Sequence, residues 1–379
     1  MPRLCLAVLV LAALVPFCER TPAMPSSAPP SAEGVVRVAA GQGPSALSAA
    51  DVNGDGLLDL LIGNEPRGEL TVLLGDGRGG FRPAPGSPYP AGPHPLDIAV
   101  GDFNGDGRPD AAIANHETSD ITILLGDGAG GFAPAIGSPV FSGSRPHVHS
   151  VSAADLTGDG NLDLVVESAD TDSVQVLAGD GRGRFASPAP YFVGSLPYYR
   201  VRTGDLDGDG RPDVAVALSR DHAIAVLRSD GKGGLAPMAG SPYPAGGNNP
   251  LVVAIGDLNG DRRADLAAIH SAGVSLLLFD GLLFRQSAGS PFRVGSAPSN
   301  LAVGDVNGDR VADVAVSNIT SNDVTLLLSG PSGPGSTVRT LTVGRQPQEV
   351  VLADFDRDGR ADVAVANLLD NDLAIWLSR

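Results

Sequence analysis

Residues 51–59 read DVNGDGLLD, and the phrase returns as DFNGDGRPD (102–110), DLTGDGNLD (155–163), DLDGDGRPD (205–213), DLNGDRRAD (257–265), DVNGDRVAD (305–313) and DFDRDGRAD (354–362). Successive copies start 51, 53, 50, 52, 48 and 49 residues apart. A period near 50 marks a repeat architecture, either propeller or solenoid. Each unit has one grammar. An alternating strand such as LDIAV (96–100) enters the acidic loop, and a run such as AAIA (111–114) leaves it. A polar turn leads to a third strand, ITILL (121–125). A Gly-rich hairpin, GDGAGGF (126–132), then precedes a weaker fourth strand ending in a Pro-rich turn. Four short strands per unit predict a β-propeller blade, and seven units predict seven blades. The strands after the loops are rich in small residues, as in VAVA at 214–217 and 363–366, which suits crowding near a central axis.

The ends of the array agree. The last unit stops after its third strand, LAIWL (373–377), and an orphan strand, VVRVA (35–39), precedes the first unit. The expectation is an all-β, seven-bladed β-propeller of four-stranded blades over residues 34–379, closed by the N-terminal strand completing the last blade. Closure removes exposed sheet edges, whereas a solenoid needs distinct caps.

The loop places oxygen-bearing side chains at positions one, three, five and nine. An EF-hand loop needs a bidentate acid at position twelve and flanking helices. Position twelve here is Ile62, Ile113, Val166, Val216, Ala268, Val316 or Val365, so the loop is not an EF-hand. The candidate metal ligands are Asp51, Asn53, Asp55 and Asp59; Asp102, Asn104, Asp106 and Asp110; Asp155, Thr157, Asp159 and Asp163; Asp205, Asp207, Asp209 and Asp213. The remaining loops offer Asp257, Asn259, Asp261 and Asp265; Asp305, Asn307, Asp309 and Asp313; Asp354, Asp356, Asp358 and Asp362. Oxygen-only ligands on a flexible loop favour Ca²⁺. Turn propensity alone would explain one such loop. Seven are different: three carboxylates in five loops and four in two place 23 of the 43 acidic residues there. Such crowding calls for a neutralising cation. Up to seven Ca²⁺ ions would bring the formal charge from −17 to about −3.

With this DxNGDGxxD phrase between two short strands, in seven copies over residues 35–379, the chain resembles the FG-GAP/VCBS repeat, as in the integrin α-subunit N-terminal propeller. The resemblance implies a seven-bladed propeller with Ca²⁺ in the loops joining the first and second strands of each blade, on its lower face. Charge count ranks the loops starting at Asp205 and Asp354 strongest, although Arg357 replaces a Gly in the latter. The loops starting at Asp155, Asp257 and Asp305 are expected to bind most weakly. The first has Thr157 as a poorer donor. The other two carry Arg262 and Arg310 where a Gly suited to positive φ otherwise stands. The metal's expected role is structural, since a cation bound only by the folded form stabilises it.

If those loops form the lower face, the connections between second and third strands and between blades form the upper one. All six histidines fall in or beside these connections: His94, His116, His147, His149, His222 and His270. Tyr198, Tyr199, Arg145, Arg200 and Arg220 lie there too. The histidines with Tyr198 and Tyr199 are the candidate partner-binding residues, because loops on a rigid scaffold carry most binding sites. Solvated loop residues are the plainer alternative. His147 and His149, in HVH, suit a transition metal, though two ligands do not make a site.

The net charge of −17 speaks against nucleic acid or an anionic membrane surface as partner. Residues 1–18, MPRLCLAVLVLAALVPFC, read as a signal sequence with cleavage as far along as residue 28, and 19–33 as a Ser/Pro-rich linker. A retained N-terminal anchor is one alternative. Lipid attachment at Cys18 is another, against which Phe17 is bulky. The mature chain is expected to have no transmembrane span and to be extracytoplasmic, secreted or at the cell surface. It would have no disulfide, since Cys5 and Cys18 are the only cysteines. The functional expectation is a non-enzymatic recognition or adhesion module for a protein or cell-surface ligand. A lectin using Tyr89 and Tyr243 of the repeated SPYPAG (87–92 and 241–246) is the alternative, and a polysaccharide lyase or hydrolase a weaker one. The Gly-rich hairpins lack the Lys-Ser/Thr and following helix of a phosphate loop, so they read as tight turns.

Overall fold

A computed structural model describes residues 34–330 and 333–378. The proposed signal sequence, Cys18 and the linker lie outside the described residues. Each acidic phrase sits between two antiparallel strands. In the second blade these are Pro95–Gly101 and Asp110–Asn115, followed by Asp120–Gly126 and Phe132–Pro134. Gly101 faces Asp110 at the acidic end, and Pro95 faces Asn115 at the other. A further short strand, Val140–Phe141, pairs with the same third strand, so the fourth strand is split. The first and fourth blades repeat this split. Proline explains it: Pro134 and Pro139 here, like Pro83 and Pro88 or Pro237 and Pro242, remove ladder donors at an edge that tolerates them.

Seven such sheets form the propeller. In the seventh, Val35–Ala39 lies antiparallel to Asp372–Trp376, with Val35 opposite Trp376 and Ala39 opposite Asp372. The hydrophobic core is divided into seven clusters, each shared by two neighbouring blades. The cluster between last and first blades joins Leu47, Leu60 and Ile62 to Phe355, Ala364 and Ala366. Every second strand is buried along its whole length, as in Asp110–Asn115 and Asp362–Asn367, because a blade packs on each of its faces. That is why these strands are apolar at consecutive positions rather than alternating. Position two of each acidic loop anchors the loop in the core: Phe103, Leu156 and Phe355 are all buried. A 3-10 turn at Ala169–Thr171 is the only helical element among the described residues. No described helix is long and apolar enough to cross a membrane.

Candidate functional site

The acidic loops share one local geometry. In the first, the Asp51 carboxylate accepts the N–H groups of Gly54 at 2.7 Å, Asp55 at 3.2 Å and Gly56 at 2.8 Å. Asn53 Oδ1 accepts the N–H of Asp55 at 2.9 Å, and Asp55 Oδ1 that of Leu57 at 2.8 Å. Wrapping the chain around Asp51 requires positive φ at positions four and six, 74° at Gly54 and 80° at Gly56. Arg262 and Arg310 adopt 68° at position six, and Arg357 adopts 64° at position four. These arginines carry the left-handed strain expected from the sequence.

Position nine has a separate task. Asp59 is fully buried, and its two oxygens accept the N–H of Val52 at 3.0 Å and of Gly75, at the end of the third strand, at 2.8 Å. Asp110 does the same with Phe103 at 2.9 Å and Gly126 at 2.8 Å, and Asp362 with Phe355 and Ser378, both at 2.8 Å. This residue ties the loop to the blade. Burial pushes all seven of these carboxyls up, to about 6 in Asp110, Asp213, Asp265, Asp313 and Asp362. Their backbone donors pull the other way, and the neighbouring loop aspartates add to the rise.

Two loops bring three carboxylates together, with oxygens within 4.8 Å of one another: Asp205, Asp207 and Asp209 in one, Asp354, Asp356 and Asp362 in the other. These are the two four-carboxylate loops, and an oxygen-only donor set fits a hard cation. They differ in what surrounds them. Arg228, on the strand Ala223–Ser229, reaches Asp207 at 2.5 Å and Asp209 at 2.8 Å. The loop starting at Asp205 therefore carries its own counter-charge, which a ranking by carboxylate count does not register. Among the described residues no cationic side chain pairs with the loop starting at Asp354.

At the opposite ends of the strands, six of the eight candidate partner-binding residues meet. His116 stacks on His147 with ring centroids 4.3 Å apart, and lies 5.0 Å from both His94 and His149. His149 continues to Tyr198 at 4.6 Å and Tyr199 at 5.3 Å. Behind it, the fully buried Glu167 accepts the N–H of His149 at 2.6 Å and lies 3.0 Å from its Nδ1. Burial pushes His116 down to about 3, with His149, His147 and His94 adding to the fall. His94 moves up, because its hydrogen bond to Glu65 outweighs burial. The rings stack instead of converging: no three of their nitrogens come within 4.8 Å of one another, so the HVH stretch forms no metal cluster as placed.

Other candidates lie elsewhere. His270 is buried, bonded to Ser275 Oγ at 2.7 Å and to the Ala272 N–H at 3.1 Å. His222 is exposed and accepts the Asn249 N–H at 3.1 Å. Tyr243 is buried with its hydroxyl on Ala239 O, and Tyr89 lies edge-on to Phe132 with its hydroxyl 2.7 Å from Pro85 O. Both tyrosines are engaged in packing, not displayed for stacking.

Arg200 is no surface residue. It is buried in the central channel, where its guanidinium pairs with Asp97 and Glu349. Arg202 reaches Asp97 at 3.3 Å, and Asn300 donates to Glu349 at 2.5 Å. Four blades are thus joined across the axis. Burial raises the Asp97 carboxyl, but Arg200 and Arg202 more than offset this and hold it below its usual value. Burial carries Glu349 up to about 7 in spite of Arg200. Sequence reasoning missed Asp97, Glu349 and Asn300. A signal existed: each stands five residues before the first Asp of its loop, as Arg200 does, where the other three blades place the uncharged Ala46, Ser150 and Val252.

Among solved structures, the chain is similar to the BBS1 N-terminal domain in complex with ARL6, at 15% identity over 90% of this chain and 94% of that one, TM-score 0.61. It is also similar to virginiamycin B lyase from Staphylococcus aureus, at 10% identity over 90% and 98%, TM-score 0.57. A third is a lectin of Agrocybe aegerita that recognises non-reducing terminal N-acetylglucosamine, at 19% identity over 88% and 86%, TM-score 0.52. At such identities the likeness is one of fold. Residues 51–113, 102–166, 168–216, 205–268, 257–316 and 305–365 each match the FG-GAP-like repeat, and these matches span the acidic loops and the strands around them. The chain therefore belongs to the family of proteins built from FG-GAP-like repeats.

Proposed function

We propose that this protein is an extracytoplasmic, Ca²⁺-binding, non-enzymatic recognition module. Its acidic loops hold structural Ca²⁺, and its upper face binds a protein partner. The observation that carries the reading is the meeting of His94, His116, His147, His149, Tyr198 and Tyr199, from separate loops, into one cluster at the strand ends opposite the acidic loops. Propeller connections on a fixed frame are where binding surfaces arise. The neutral His116 and the exposed His147 offer ring faces and hydrogen-bonding nitrogens to a partner. The fold relative complexed with ARL6 is a precedent for a protein ligand on such a frame.

The test is capture of cell-surface proteins by the purified chain, set beside His147→Ala and Tyr198→Ala variants, in Ca²⁺ and in EDTA. Loss of one captured partner in both variants, with circular dichroism unchanged, supports the reading. Capture that neither variant alters overturns the upper face as the binding surface. A glycan array run in parallel decides the lectin alternative: Ca²⁺-dependent sugar binding lost in the same variants would replace the protein partner by a glycan. Calorimetric titration with Ca²⁺ decides the metal.

A further inference from the structure

The ion cluster around Arg200 divides the central channel. On the acidic-loop side of it lies a cavity of ≈ 450 Å³, within the range of small-molecule sites. Aliphatic side chains line it, including Ile98, Val100, Ile255, Val303 and Leu352, beside the hydroxyls of Ser48, Ser152 and Thr203, and the surface exposed to it is more polar than apolar. Ser152 and Thr203 bond each other at 2.8 Å. Asp97, Glu349 and Arg202 also line it.

The two guanidiniums are used differently. Arg200 is buried, its terminal nitrogens set against the Asp97 and Glu349 carboxylates and its Nε facing no acceptor and no cavity among the described residues. Arg202 uses only Nη1, which reaches Asp97 Oδ2 at 3.3 Å and Val201 O at 2.9 Å. Its side chain remains 27% exposed, and its Nε and Nη2 donate to no acceptor among the described residues. A guanidinium edge open to a cavity and flanked by aliphatic side chains is a carboxylate-binding element, because two parallel N–H donors match two carboxylate oxygens. No other blade supplies such a group at this level. The residue three before the first loop Asp is Ser48, Ala99, Ser152, Ala254, Ala302 or Val351 in the others.

We propose that this channel cavity binds a small monocarboxylic acid with an apolar body, its carboxylate on Arg202 and its body against the aliphatic wall. Asp97 and Glu349 stand beside that position and the acidic loops lie at the same end of the ring, so a second negative charge on the ligand is repelled. The site takes monoanions in preference to phosphates or polyacids. It lies on the other side of the ion cluster from the histidine–tyrosine face and is independent of what that face binds.

Benzoate and its uncharged analogue benzyl alcohol are the probes, titrated into the full chain in Ca²⁺-containing buffer and followed by calorimetry and thermal shift. The expected result is saturable benzoate binding at least tenfold tighter than that of benzyl alcohol. Arg202→Gln should weaken benzoate tenfold or more and leave benzyl alcohol unchanged. Glu349→Gln, which removes a negative charge from the floor, should tighten benzoate severalfold at pH 8. No benzoate binding at about 10 mM overturns the proposal, as does equal affinity for the alcohol or benzoate binding that a folded Arg202→Gln retains. Should Arg202→Gln fail to fold, the alcohol comparison and Glu349→Gln decide the matter, and unaltered benzoate affinity in Glu349→Gln overturns it.

Discussion

Replacing Asp110 by Ala probes the tie between the acidic loop and its blade. The carboxylate is fully buried and is the acceptor for two backbone donors, Phe103 N–H at 2.9 Å and Gly126 N–H at 2.8 Å. Each orphaned buried donor costs about 1–3 kcal/mol, so the pair costs about 2–6 kcal/mol. With an unfolding entropy of about 2.1 cal/mol/K per residue, a ring of this size loses about 3–8 °C of Tm. Burial pushes the carboxyl up to about 6, so at pH 7 the wild type already bears part of the burial cost, and the lower half of that range is expected. Asp106 sits four residues away in the same loop, but exposed, accepting the Arg108 N–H at 2.9 Å. In EDTA, Asp106→Ala should change stability by no more than about 0.5 kcal/mol, under 1 °C. In Ca²⁺ the contrast narrows, because a lost site at 100-fold excess over Kd forfeits about 2.7 kcal/mol. Thermal unfolding by circular dichroism in the two buffers reads all four quantities. Equal losses for the two variants in EDTA would refute the division of labour within the loop.

Three further outcomes follow from other contacts. Arg228→Ala frees Asp207 and Asp209, so calorimetry should show tighter Ca²⁺ binding in the loop starting at Asp205, and unchanged isotherms would show the ion pair to be irrelevant there. Glu349 has a folded value raised from 4.5 to about 7, so its contribution to stability is complete below about pH 4.5 and is lost as pH rises through 7. Glu349→Gln should therefore lose less stability than wild type between those limits, and parallel Tm–pH curves would count against the assignment. Deleting residues 34–39 removes the partner of Asp372–Trp376 and opens a sheet edge; chromatography should then show self-association, and a variant as monomeric and stable as wild type would mean that this strand contributes little.

The sequence alone determined the blade count, the strand order and the positions of the acidic loops. All three are local and repeated: strand alternation, turn chemistry and a 50-residue period need no knowledge of neighbours. It also anticipated the left-handed backbone at Arg262 and Arg310, because seven aligned copies show where glycine usually stands. Only the tertiary structure distinguished the roles within the loop. Asp59 and its equivalents stand in the phrase as candidate ligands, and only the fold shows that they also tie the loop to backbone donors on another strand, Gly75 in the first blade. The counter-charge of Arg228 lies some twenty residues from the carboxylates it meets, so charge count could not reveal it. The histidines and tyrosines were nameable as residues on one face; that six of them touch while His222 and His270 do not depends on which blades adjoin. The channel cluster of Asp97, Arg200, Asn300 and Glu349 was the least legible. Its members come from four blades and meet only because the ring brings equivalent strand positions to one axis, where burial makes their pairing obligatory.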